Sequence, residues 1–409
     1  MKLVSLATFA SLFAFQCAAI ELVAPEKGAM VALVPDAQKK VMSLPTLEER
    51  LKFFAEDKAN GKVFRHDKFW RKAKPLVLKW NYNENERGPW KIEIGKSPDL
   101  SDARVWFFKE KEGNGKAKAE QPARKVTYEV PLANLEIASE YYWRVTCKYH
   151  CSKAECKRKC SCPEGKKPVR SEIASFRTED LAPRWIVVDG RVGNIRDFGG
   201  RHTSDGRRVK QGMAFRGQGL NDNSITGESQ GRNRLTVEDV RYFTNTLGIR
   251  TDLDLRSKEE TADLAESPLG PGVTFIQRSS SCYRGIFSDS GKKIMAENFR
   301  TFCDRKNYPI YFHCIGGADR TGSLAYVLNG VLGVDRHEIE TDWESTFYPN
   351  IPDANPDPNF WCRESHFNNG FAKYGKDGDS WNRRIELYLL DCGITEAEIA
   401  EFRSIMLER

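Results

Sequence analysis

The stretch "YFHCIGGADRTG", Tyr311 to Gly322, decides how this chain is read. An apolar run enters His313 and Cys314, two glycines follow, and Arg320 opens the apolar helical pattern "RTGSLAYVLNGVLGV". Strand, glycine-softened turn and helix, in that order, point successive backbone N–H groups into one concavity. The helix N-terminus adds partial positive charge there. Gly316 and Gly317 supply the backbone freedom that such a turn needs. The planar fork of Arg320 matches two oxygens of a tetrahedral dianion. The same donors favour Cys314 as its thiolate, and a thiolate under a bound phosphate is a nucleophile aimed at phosphorus. Ile315, Gly316, Gly317, Ala318, Asp319 and Arg320 then form a phosphate-binding loop. His313 supports the loop and tunes the thiolate, and Thr321 donates its hydroxyl to the sulfur.

Other loop chemistries fit less well. A Walker-type nucleotide loop needs Gly-Lys-Ser/Thr, which the chain lacks. A thioredoxin-like site needs Cys-x-x-Cys here, and position 317 is glycine. A structural strand-to-helix turn with an incidental cysteine is the plain alternative.

Working outward, the segments around the loop alternate between strand and helix patterns, as in an α/β domain. "LTVEDVRYFTNTLG" reads as an amphipathic helix with a threonine N-cap and a glycine stop. "IRTDLDLRS" reads as a strand, and "SWNRRIELYLLDCG" and "TEAEIAEFRSIML" as closing helices. Before this, from residue 20 to 180, short runs such as "LVLKWNY", "WKIEIG", "VTYEVPL" and "YYWRVTCKY" alternate apolar and polar residues at spacings typical of a β-sandwich. A helical insert, "TLEERLKFFAED", and a Cys/Lys-rich loop interrupt that pattern.

At this point two resemblances carry weight. "HCIGGADRTG" resembles the signature loop of the protein-tyrosine phosphatase superfamily, and within it the atypical bacterial tyrosine and dual-specificity branch. "GNIRDFGG", "GMAFRGQGL", "LGIRTDLDLRSKEE" and the closing helices resemble the same branch in order. "LANLEIASEYYWRV" resembles a corner of a fibronectin type III domain. Together they imply two domains: an N-terminal all-β, fibronectin III-like sandwich over 20–180, and an α/β cysteine-phosphatase domain over 183–409.

The phosphatase resemblance implies catalysis by Cys314 and Arg320 through a phosphocysteine, with Asp254 as general acid and no metal or other cofactor. Asp319 and Asp289 are alternative acids, and Arg196 and Asp197 brace the site. His202, His337 and His366 are read as structural. Ala318 stands where the branch usually has lysine, which weighs against highly phosphorylated substrates. The implied substrates are phosphotyrosine or dual-specificity phosphoproteins. Inositol phosphates or phosphoinositides are the alternative, and a non-catalytic phosphate-binding or adhesion module is a further one.

The N-terminus "MKLVSLATFASLFAFQCAA" fits a secretory signal peptide ending near Ala19, with a weaker lipoprotein reading through Cys17. The mature chain is therefore expected outside the cytoplasm, without a stable membrane span. Export favours disulfides among Cys151, Cys156, Cys160 and Cys162, with zinc as the alternative. The formal charge is +7, and the insert from Lys148 to Pro168 supplies seven basic and two acidic residues. The rest is nearly balanced, which argues against a nucleic-acid partner. A phosphorylated protein or small molecule is the expected partner, and a protein or glycan is open for the N-terminal domain.

Overall fold

A computed structural model of the chain describes residues 20–60, 74–83, 89–108, 125–147, 169–221, 233–261, 263–346 and 364–409. The expected signal peptide, Cys17, and the loop bearing Cys151, Cys156, Cys160 and Cys162 lie outside the described residues.

The chain divides into two compact units. The first comprises the residues up to Val31, Val77–Leu132 and Glu140–Arg177. It holds a three-stranded sheet, Glu21–Ala24, Leu76–Asn83 and Lys125–Leu132, and a six-stranded sheet centred on Trp90–Gly95 and Glu140–Cys147. Trp90–Gly95 pairs antiparallel with Arg104–Phe108 on one side and Glu140–Cys147 on the other. The inward faces meet through aromatic rings. Trp80 of the smaller sheet and Trp90 of the larger are fully buried and stand edge to face, 5.7 Å apart, with Tyr128 stacked on Trp80.

The second unit comprises Ala32–Leu76, Ala133–Ser139 and Thr178–Arg409. The helical insert was expected within the N-terminal sandwich, but it packs with this unit instead. The reason is ionic and buried: the Arg50 side chain, from helix Leu47–Asn60, donates to Glu344 Oε1 at 2.9 Å and Glu340 Oε2 at 3.1 Å on helix Arg336–Ser345.

The sheet of this unit has the order Arg196–Asp197, Ala214–Gln218, Ile310–Cys314, Thr251–Asp254, Thr274–Gln277. The last four strands are parallel and the first is antiparallel. Both faces of the central strand are buried, as parallel sheets require. Ile310, Phe312 and Cys314 enter one core with Leu324, Leu328 and Phe299, while Tyr311 enters another with Phe215 and Phe243.

The expected helix over "LTVEDVRYFTNTLG" forms in two parts. Thr236 and Asp239 make a capping box for Val237–Arg241, after which Tyr242–Thr246 continues as a π-helical turn. The signature helix runs Asp319–Leu332 and stops at Gly333, whose φ of +85° is the usual left-handed C-terminal signal.

Candidate active site

Cys314 ends the central strand, in register with Gln218, and His313 lies opposite Asp254. Three parallel strands thus deliver their C-terminal ends to one place, where open α/β sheets bind ligands. The loop from Ile315 to Ala318 then leads into the helix that starts at Asp319.

Two neighbours set the direction of the loop peptides. Asn194 Nδ2 donates to the Gly316 carbonyl at 3.0 Å, and Arg216 Nη2 donates to the Gly317 carbonyl at 2.9 Å. In a trans peptide the N–H points opposite to the carbonyl. Anchoring these carbonyls outward therefore turns the following N–H groups, Gly317 and Ala318, inward. Gly317 has φ +68°, and a Cβ there would come within 2.4 Å of the Gly217 carbonyl oxygen, so only glycine fits.

Cys314 carries a free thiol and is 1 % exposed. Burial opposes its ionisation. The Thr321 hydroxyl and N–H, the Arg320 charge and the Gly317 N–H outweigh that burial and hold the thiol below its ordinary value. Other thiols behave differently: burial pushes Cys303 up to about 12 and Cys392 up to about 11.

Arg320 faces Glu260 end to end, with Nη1 to Oε2 at 2.6 Å and Nη2 to Oε1 at 2.8 Å. Glu260 is aimed by its own helix start, since its Oε2 accepts the Ser257 N–H at 2.8 Å. His313 lies below the loop. Its Nε2 meets Asp252 Oδ1 at 2.9 Å and its Nδ1 meets the Cys314 carbonyl at 3.3 Å. Burial pushes its pKa down, but Asp254 and Asp252 push harder in the other direction, so it is raised. An imidazolium can donate through both nitrogens, bracing the strand end against the sheet.

Asp254, expected as the general acid, ends its strand fully enclosed. It is 0 % exposed, and its oxygens accept Arg256 Nε at 2.9 Å and Nη2 at 2.6 Å. Burial works against its charge, yet His313 and Arg256 hold its pKa below the usual carboxylate value. So held, the Asp254 carboxylate lies 3.8 Å from His313 Nδ1. Asp289 is exposed at the start of helix Asp289–Phe302. Asp319, at the loop itself, is partly exposed, and its Oδ1 accepts the Tyr283 hydroxyl.

Beneath the loop lies a cluster that sequence reasoning missed in part. Asp342 accepts Arg196 Nε at 3.0 Å and Arg201 Nη2 at 2.7 Å on one oxygen, and Arg216 Nη1 at 2.7 Å on the other. All four side chains are buried. Burial opposes the Asp342 charge, and the three guanidiniums reverse that and drive its pKa far down. Arg196 also donates to Asn194 Oδ1, which steadies the residue holding Gly316. Asn194, Arg196 and Arg216 stood in the quoted segments "GNIRDFGG" and "GMAFRGQGL"; Asp342 carried no local signal.

The sequence profile of the tyrosine phosphatase family matches residues 190–408, more than half of the chain. The chain belongs to the tyrosine phosphatase family. As a member it is a cysteine-based phosphoric monoester hydrolase. No curated protein matches the chain. Among solved structures, the core catalytic domain of the PP-IP phosphatase SIW14 from S. cerevisiae, in complex with citrate, matches at 16% identity. That match covers 40% of this chain and 93% of the other, with a TM-score of 0.24.

Proposed function

We infer that the chain hydrolyses phosphate monoesters on proteins, phosphotyrosine or with dual specificity, as an exported member of the atypical branch. One observation carries the chemistry: Cys314 sits at the base of inward-turned N–H groups with its thiol pKa lowered, six positions before Arg320.

The Cys314 thiolate attacks phosphorus, forming the S–P bond while the P–O bond to the leaving group breaks. Arg320 and the loop N–H groups hold the equatorial oxygens. Asp319 protonates the leaving oxygen, because it borders the loop while Asp254 is sealed against Arg256. Water then gives its proton to the Asp319 carboxylate and attacks phosphorus, releasing phosphate and the thiolate.

The loop from Cys314 to Arg320 contains one cation, Arg320, and Ala318 where the branch usually has lysine. That supports single phosphate esters over rings crowded with phosphate, whose repulsion would call for more positive charge. The N-terminal β unit, fibronectin III-like in this reading, serves as a binding or spacing module. A panel of phosphotyrosine, phosphoserine and phosphothreonine peptides beside inositol phosphates tests the substrate class. Phosphopeptides should give the higher kcat/KM. Preference for inositol phosphates by tenfold or more would overturn the assignment.

A further inference from the structure

Tyr283 begins the short 3-10 turn Tyr283–Phe287, between strand Thr274–Gln277 and helix Asp289–Phe302. Its φ is +53°, a left-handed backbone that a bulky residue rarely adopts. Such strain persists where surroundings over-determine it, and it gathers at functional sites.

The surroundings here tie Tyr283 to the start of the signature helix. The Tyr283 N–H donates to Ser323 Oγ at 3.1 Å, and Ser323 Oγ donates to the Asp319 carbonyl at 2.7 Å. The Tyr283 hydroxyl donates to Asp319 Oδ1. Its ring stands edge to face on Trp343 at 5.8 Å, and Trp343 closes on Gly322, where a Cβ would meet the indole at 2.5 Å. One strained residue therefore reaches the first turn of the signature helix by its backbone and the loop carboxyl by its side chain.

Resting on the reading of Asp319 as general acid, we propose that Tyr283 is a positioning residue that fixes the Asp319 carboxyl for proton transfer. The tyrosine hydroxyl donates to Oδ1 of the carboxyl that carries the transferable proton. It passes to the leaving oxygen as the P–O bond breaks, and the resulting carboxylate keeps the tyrosine hydrogen bond. That bond favours the charged product of the transfer, making Asp319 a stronger acid. The demand is greatest for a poor leaving group and slight for a good one.

The test compares full-length wild type, Tyr283→Phe, Asp319→Asn and the double variant. It reads the pH profile of kcat/KM on phenyl phosphate and on 4-nitrophenyl phosphate. Tyr283→Phe keeps the ring packing, and neither the ratio of the two esters nor the position of a pH limb depends on how much protein is folded. Asp319→Asn should remove the basic limb and cost about 10²- to 10⁴-fold on phenyl phosphate, with far less loss on the nitrophenyl ester. Tyr283→Phe should move the basic limb to higher pH and cost about tenfold on phenyl phosphate alone. The double variant should be no worse than Asp319→Asn, since both act through one group. If Tyr283→Phe leaves limb and ester ratio unchanged while Asp319→Asn behaves as stated, the positioning role is wrong and the acid stands. If Asp319→Asn leaves both unchanged, the acid reading fails and the proposal fails with it.

Discussion

Arg320 and Glu260 meet end to end, with both terminal guanidinium nitrogens on the two carboxylate oxygens at 2.6 and 2.8 Å. The pair fixes the plane of the fork while leaving Nε–H and the remaining Nη hydrogens for phosphate. It also keeps the arginine charged, since Glu260 raises its pKa.

Loss of that orientation should be felt at the reacting phosphate. Glu260→Gln is expected to lower kcat/KM on 4-nitrophenyl phosphate by about ten- to a hundredfold, because misplacement of about 1 Å costs on that order. Arg320→Lys should lose more, since a point charge cannot reproduce the fork. Steady-state kinetics check both; an unchanged Glu260→Gln would remove the orienting role.

The pKa of Cys314 gives a pH prediction with a definite sign. Its thiol is held below the ordinary value, so the thiolate fraction stays high at neutral pH and falls only as pH drops through the lowered pKa. Alkylation by iodoacetamide should therefore reach half its maximal rate at lower pH than for an ordinary thiol. Thr321→Ala removes a hydroxyl that stabilises the thiolate and should move that midpoint upward. A midpoint at the ordinary thiol value in wild type would contradict the electrostatic account of the loop.

Asp342 neutralises three buried guanidiniums, one of which holds the Gly317 carbonyl. Removing one partner from a buried ionic cluster costs about 3–5 kcal/mol. Asp342→Ala should lower the thermal midpoint strongly and depress kcat, because the loop loses the arginine that orients its peptides. Thermal unfolding together with kcat on an aryl phosphate reads both effects. Full stability in this variant would mean that the guanidiniums are neutralised elsewhere.

Arg50 ties the helical insert to the helix that carries Asp342. Its loss leaves Glu344, which burial already pushes up to about 7, without its cation. Arg50→Met should destabilise by about 3–5 kcal/mol, and the double change with Glu344→Gln should recover much of that. A carboxyl whose folded pKa is raised contributes stability below its unfolded pKa and loses it as pH rises through the folded value. The single variant should therefore weaken further between acid and neutral pH. Denaturant titration at two pH values tests this; equal stability losses at both would contradict it.

The loop was legible because its chemistry is local. Cys314, the two glycines and Arg320 lie within seven residues, and strand-loop-helix context follows from the flanking apolar patterns. The α/β content and closing helices were legible for the same reason. What escaped was non-local. Asp342 reaches arginines 126 to 146 positions away, and nothing in "TDWES" marks it. Glu260, in "SKEE", carries no local mark of its role, because only the fold brings it to Arg320, 60 positions on. Asp254 shows a different limit of sequence. Resemblance points to an acid there, and its burial against Arg256 is visible only in the fold. The helical insert was assigned to its sequence neighbours, whereas Arg50 draws it to a helix nearly 300 residues away.

The central claim is that Cys314 is the nucleophile, and turnover by Cys314→Ser tests it most directly. Kinetics of the full-length variant on 4-nitrophenyl phosphate at neutral pH should show activity reduced by at least about a thousandfold, since a serine hydroxyl is not ionised in this loop. Turnover at the wild-type rate would contradict the account.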